Sequence, residues 1–168
     1  PDVIEQGSLV VAPARDTGEL ARFARRTQSH LTLDAAGLAD LEPDLQGRFR
    51  QALFFGKEAH LNPRKAIAAL LERLRKLGVT IGYATSLEAH NIRAAVVVDT
   101  RGFAARDVLT DLRGVKGEML VLKARGLEFS RPIRLLHPRL PVYLVPRGDG
   151  IFMVGATQIE AEDKGRIT

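Results

Sequence analysis

The sequence predicts an α+β fold, a mixed, largely antiparallel sheet with flanking helices, in a single domain spanning residues 1–168. Two observations predict it. The elements read in the order strand, helices, strand, helix, two strands, helix and several strands, which alternates too loosely for a doubly wound parallel sheet. The chain also carries a clear hairpin, Val142 to Arg147 and Ile151 to Thr157, flanking Gly148-Asp149-Gly150, whose glycines allow positive φ.

Gly7 to Ala12 is apolar and β-branched, the pattern of a buried strand. Asp16 with Glu19 three residues on suggests a capping box opening a helix. Leu20, Phe23 and Ala24 line its inner face, and Arg22, Arg25 and Arg26 look outward. A short helix is expected from Asp34 to just before Pro43, with Leu38 and Leu41 inward, then a strand over Ala52 to Phe55. The clearest helix follows. Asn62 caps it, Pro63 suits its first turn, and Ile67, Leu70, Leu71, Leu74 and Leu77 recur at helical spacing before Gly78 stops it. That stripe is expected to face the core, so Leu70→Asp or Leu74→Asp should make the chain insoluble. Val79 to Leu87 reads as a strand, Ala94 to Val98 as a strongly buried one, Phe103 to Leu112 as a helix and Glu118 to Lys123 as a strand.

Composition sets the outer limits. Hydrophobic residues make up 45% and charged residues 27%, ordinary for a globular chain, and no apolar run is long enough to cross a bilayer. The absence of cysteine excludes disulfides, thiolate metal sites and cysteine nucleophiles. No export signal is present, and a cytoplasmic location is expected. Pro1 in place of methionine suggests a cut or processed piece. The net charge of +5 is uneven: residues 45–139 carry 18 bases against 8 acids. A basic middle can attract nucleic acid or an anionic cofactor. With 5% aromatic residues and no nucleic-acid module signature, a solvated arginine-rich surface is the plainer reading. His30, His90 and His137 lack ligand spacing with carboxylates, so no metal site is expected.

Three segments stand out together. Gly56-Lys57-Glu58-Ala59-His60-Leu61-Asn62-Pro63 leads into the long helix. Val96-Val97-Val98-Asp99-Thr100-Arg101-Gly102 ends an apolar run in a glycine turn. Tyr143-Leu144-Val145-Pro146-Arg147 leads through the hairpin to Val154-Gly155-Ala156-Thr157. With these residues the sequence resembles the glycine oxidase and D-amino-acid oxidase superfamily of FAD enzymes, most closely the glycine oxidases tied to thiamine biosynthesis. The family's His-x-x-Pro at a helix start is matched by His60 and Pro63, and its valine strand with a small-residue turn by Val96 to Gly102. Its Lys/Arg-Gly-Glu/Gln is matched by Lys116-Gly117-Glu118. Its Tyr-x-x-Pro-Arg followed by Gly-Ala-Thr is matched by Tyr143, Pro146, Arg147 and Gly155 to Thr157. The four occur in the family's order along nearly the whole chain.

The resemblance implies the substrate domain of a two-domain FAD oxidoreductase. Its reaction is oxidation of glycine or a related amino acid or secondary amine to an imine, with hydride transfer to flavin and release of hydrogen peroxide. Such chemistry needs no side-chain nucleophile, so no catalytic residue is expected. Tyr143 matches the family's active-site tyrosine, and Gln158 occupies a substrate-facing position where methionine is commoner. Read without the resemblance, Tyr143 is a hairpin tyrosine with a wet hydroxyl. Leu87, Asp99, Thr100 and Gly102 match positions that pass near the cofactor, with ordinary sheet packing as the alternative. His60 reads as a half-buried histidine bonding backbone, and Arg147 and Asp149 as turn partners. The departures are as informative. No G-x-G-x-x-G turn opens the chain, the later carboxylate-clamping arginine has no match, and Asp99-Thr100-Arg101-Gly102 replaces an Ala-x-Gly turn. The isolated chain, lacking the N-terminal FAD-binding segment and a C-terminal segment, is therefore expected to hold FAD weakly and to be inactive. Two alternatives remain open: a tRNA-modifying or dehydrogenase member of the superfamily, and a basic nucleic-acid-binding module without catalysis. A homo-oligomer is compatible with either.

Overall fold

Ser8–Val11 forms the first strand, β1, and Leu9, Val10 and Val11 are all buried. A strand without a polar face has to lie between two layers, and β1 occupies the interior of a seven-stranded sheet. The computed structural model describes residues 2–87, 91–160 and 165. Within them the order of elements is β1, α1 (Thr17–Arg26), β2 (Leu31–Asp34), α2 (Ala35–Leu41), β3 (Gln51–Phe55), α3 (Pro63–Lys76), β4 (Met119–Lys123), β5 (Ile133–Leu135), β6 (Val142–Pro146) and β7 (Ile151–Gly155). The strands lie side by side as β2-β3-β1-β5-β6-β7-β4. Five of the six pairings are antiparallel and only β1–β5 is parallel. The α+β expectation of a mixed, largely antiparallel sheet with flanking helices is met.

Each face of β1 has its own core. Leu9, Val11, Ala52 and Ile133 pack under Leu38 and Leu45, the residues that α2 and the turn after it supply. Val10, Ala12, Leu53 and Phe55 pack under Leu20 of α1, with Phe23 and Ala24 beside it. Burying one such leucine contributes about 2 kcal/mol. The inward and outward faces of α1 and α2 are those the periodicity predicts. The start of α1 differs: Asp16 closes a 3₁₀ turn and makes no side-chain cap, so the capping box does not form.

A buried ion pair lies on the α2 side of the sheet, with the Arg131 guanidinium over Phe54. Glu42 follows α2 and is 0% exposed. Its carboxylate accepts from Arg131 Nε at 2.7 Å and from the Ser130 amide at 3.1 Å. Arg131 also donates to the carbonyls of Gln6 and Leu41, at 3.0 and 3.4 Å. One guanidinium thus fastens the approach to β1, the end of α2 and the approach to β5.

Elsewhere along the chain the structure departs from expectation at several points. Asn62 does cap α3, accepting from the Arg64 and Lys65 amides at 3.1 and 3.3 Å. Yet the apolar stripe of α3 faces away from the core, and Leu70 is 62% exposed. Val79 to Leu87 and Ala94 to Val98 form no strands, with Val96 and Val98 about three-quarters exposed at 76% and 75%. Periodicity reports that a face wants cover, not where the cover is, and no described segment lies over these residues. Phe103 to Leu112 shortens to a 3₁₀ turn, Gly102–Asp107. β2 and β5, which the sequence reading does not contain, are strands of four and three residues, too short for alternation to show. No helix among the described residues is long and apolar enough to cross a membrane.

Two outcomes follow. Glu42→Ala leaves Arg131 buried without its anion and should lower unfolding free energy by about 3 kcal/mol, read as a shifted urea midpoint; a loss below about 1 kcal/mol would mean that solvent reaches the pair. Leu70→Asp, by contrast, should cost about 0.5 kcal/mol or less and reduce binding of an apolar dye such as ANS, because it places charge on an open face. Insolubility of that variant would restore the buried reading of α3.

Candidate functional site

The register of the sheet carries one row of side chains across its α1 face. Val10 pairs with Leu53 and with Arg134, Arg134 with Tyr143, Tyr143 with Gly155, and Gly155 with Met119. Residues directly opposite in a ladder share a face, so the row sets Arg134 and Tyr143 side by side. Gly155 explains how the phenol lies. A Cβ at that position would come within 3.2 Å of the Tyr143 hydroxyl and 3.0 Å of a Met119 side-chain carbon. The ring therefore crosses the sheet over a bare Cα, its hydroxyl 3.7 Å from Met119 Sδ.

Between this row, α1 and the stretch after β7 is a cleft of about 490 Å³. Its lining includes Ser8, Phe23, Glu58, Arg134, Tyr143 and Gln158. The structure thus brings Tyr143 and Gln158, which lie 15 residues apart, into one cavity. Phe23 forms the α1 wall, and the Arg134 guanidinium stacks 5.4 Å from its ring centroid. The Ser8 hydroxyl donates to the Glu58 carboxylate. The sequence reading misses Arg134, Glu58, Ser8 and Phe23 as cleft residues. No local signal marks Arg134, because the three residues Ile133-Arg134-Leu135 are too few for alternation to show.

Leu87, Asp99, Thr100 and Gly102 lie elsewhere, exposed, in the irregular stretch between α3 and β4. Hydrogen bonds from the Arg101 guanidinium hold the carboxyls of Asp99 and Asp107 below the usual carboxylate range, and both carboxylates keep Arg101 firmly protonated. Gly102 has φ +59° and open space around it, so a ligand could approach its backbone. A dinucleotide also needs free amides for its pyrophosphate. The first amides of α3 are taken by Asn62, and Asp16 and Glu19 place negative charge at the start of α1. At these two helix starts the described residues therefore make no pyrophosphate cradle. No group of three or more His, Cys, Asp or Glu among the described residues could hold a metal ion, and His90 lies outside them.

His60 and Arg147 support the cleft from below. Arg147 Nη1 donates to the Leu61 carbonyl at 2.7 Å, tying the β6–β7 hairpin to the start of α3 rather than pairing with Asp149. The backbone of His60 bridges Ile4, but both ring nitrogens are buried without a hydrogen-bond partner, which corrects the expectation of a backbone-bonded ring. Burial first, and the nearby Arg147 charge second, depress its pKa below the ordinary 6.5.

With this geometry in place, comparison with known proteins gives a consistent picture. The family model for FAD dependent oxidoreductases (DAO) matches residues 1–168. A protein of Rhizobium etli named "Putative thiamine biosynthesis oxidoreductase ThiO" is 52% identical over 168 residues, covering 99% of this chain and 50% of that protein. Among solved structures, glycine oxidase from Bacillus cereus superposes with a TM-score of 0.75 at 19% identity, covering 98% of this chain and 52% of that one. Iminodiacetate oxidase from Chelativorans sp. BNC1 gives 0.72 at 20% identity, covering 99% and 52%. The two structures establish likeness of fold. The chain spans about half the length of the proteins it matches.

His60 has a measurable consequence. Its folded pKa lies below its unfolded value, so the unfolded chain binds the extra proton and stability is lost as pH falls below 6.5 toward the folded pKa. His60→Phe should flatten the stability curve below about pH 6.5, where the unfolded histidine takes up its proton. An unchanged slope would mean that the imidazole is as hydrated as in the unfolded chain.

Proposed function

Since the chain belongs to the FAD dependent oxidoreductase family over its whole length, we propose that it forms the substrate-binding part of an enzyme oxidising glycine or a related amino acid or secondary amine to an imine. The observation that carries this reading is the convergence of Tyr143 and Gln158 on one cleft, beneath the α1 wall. Each alone is an ordinary surface residue. Together they place a phenol and an amide on the lining of a partly apolar cavity, the composition of a small-molecule site. The relatedness to ThiO and the fold shared with glycine oxidase and iminodiacetate oxidase support an amine as substrate.

In this reading the flavin supplies the electron acceptor, with oxygen taking the electrons onward as hydrogen peroxide. The residues of this chain bind and orient. Tyr143 donates a hydrogen bond to the substrate's anionic end, and Gln158 offers one donor and one acceptor where the cavity opens. Phe23 and the sheet exclude water from that side, which strengthens each polar contact. The exposed apolar faces of α3 and of Val96 to Val98 are where the remainder of a protein of the relatives' length packs, completing the dinucleotide site.

The test uses the full-length protein, with peroxide release from glycine and sarcosine as the assay. Tyr143→Phe removes one hydrogen bond and should raise KM about fivefold, the scale of 1 kcal/mol, while the bound flavin's absorbance stays unchanged. Gly155→Ala, which pushes the ring off its seat, should do the same. Loss of flavin from either variant, or no peroxide from any amino acid tested, would overturn the assignment.

A further inference from the structure

The cleft contains more than the proposed oxidation of glycine requires. Its volume of about 490 Å³ falls in the range that larger ligands fill, well beyond a two-carbon amino acid. It also carries a cation without a counter-ion. Arg22, Arg101 and Arg131 each pair with a carboxylate. The Arg134 side chain has no ion pair or hydrogen bond among the described residues and stacks on Phe23.

We propose that Arg134 binds a second carboxylate of the substrate, so that the enzyme favours dicarboxylic amines over glycine. This rests on the oxidative reading above and narrows its substrate class. Three features position the guanidinium for the task. The register puts it opposite Tyr143 on one face of the sheet, and the phenol runs away from it over Gly155, so the two groups are spaced to hold the two ends of one molecule. The guanidinium stacks over the Phe23 ring, a contact that uses its face, while a carboxylate is received in the guanidinium plane through two parallel hydrogen bonds. The β1–β5 pairing places its backbone against buried Val10, so its stem starts from a fixed point on the sheet. Glu58 lines the same cleft and is engaged by the Ser8 hydroxyl. The attraction for an anion is therefore local to Arg134 rather than a property of the whole cavity.

The experiment compares two substrates of similar length in the full-length flavoprotein: iminodiacetate, with two carboxylates, and N-ethylglycine, with one. The wild type should show a kcat/KM ratio favouring iminodiacetate by tenfold or more. Arg134→Met should cut that ratio by about 10- to 100-fold, the scale of a hydrogen bond to a charged group, through KM for iminodiacetate rather than kcat. Arg134→Lys, which keeps the charge but not the fork, should recover part of it. A wild type that oxidises N-ethylglycine with no preference for the diacid overturns this inference alone. So does a ratio that Arg134→Met leaves unchanged. Failure of the wild type to oxidise either amine while it oxidises glycine also overturns this inference, whereas failure with glycine as well overturns the oxidative reading itself.

Discussion

The pairing of Glu42 with Arg131 is the constraint on which the rest of the sheet depends. Removing two charges from water is costly, and the cost is offset only where hydrogen bonds satisfy both groups. Here Glu42 receives Arg131 Nε and the Ser130 amide, while the remaining guanidinium nitrogens reach the carbonyls of Gln6 and Leu41. The consequence is topological. β1–β5 is the sole parallel pairing, and it joins the antiparallel group β2-β3-β1 to the antiparallel group β5-β6-β7-β4. A parallel neighbour cannot be delivered by a tight turn and has to be brought from far along the chain. The segment between α2 and β5 spans roughly ninety positions, and Arg131, two residues before β5, holds its far end in place.

Register follows from that anchor. β5 is only three residues long, and a slip of one residue would turn Arg134 from the α1 face to the opposite core. Ile133 and Leu135 would then meet the cleft, and a guanidinium would enter an apolar cluster without a partner. With β5 fixed, its antiparallel neighbour β6 sets Tyr143 beside Arg134, and β7 sets Gly155 under the phenol. The position of the ring is thus decided by a buried ion pair between segments that do not touch the cleft.

Much of this was legible in the sequence and some was not, for identifiable reasons. The hairpin showed itself because its turn holds Gly148, Asp149 and Gly150 at positive φ, and a Cβ at Gly150 would sit 2.8 Å from the Ala124 carbonyl oxygen. The start of α3 was legible because Asn62 and Pro63 act locally. β5 was not, since Ile133-Arg134-Leu135 is too short to show a period and its strand character comes from partners distant in sequence. The valines at 96–98 mislead in the opposite direction: their β-branching predicts burial, and in this chain nothing described covers them. For the site, Tyr143 and Gln158 were found through the resemblance rather than through physics. Arg134 escaped because a lone arginine on a short strand reads as solvated surface until its neighbours are known.

The distribution of apolar and polar surface separates what this chain completes by itself from what it leaves open. The cleft is finished: its walls come from α1, β1, β5, β6 and the residues after β7, all fixed by cores on both faces of the sheet. The stretch from α3 to β4 is unfinished, with leucines and valines outward and Asp99, Arg101 and Asp107 satisfying one another at the surface. A helix with an apolar stripe gains little from propensity alone and is stabilised mainly by what packs on the stripe. The capped start and glycine stop of α3 define the helix, but its inner face awaits cover. On the proposed reading, substrate recognition and cofactor retention draw on different parts of the fold. Changes at Arg134 or Tyr143 act through local contacts within a rigid sheet, whereas changes on the α3 stripe act through assembly with whatever surface closes over it.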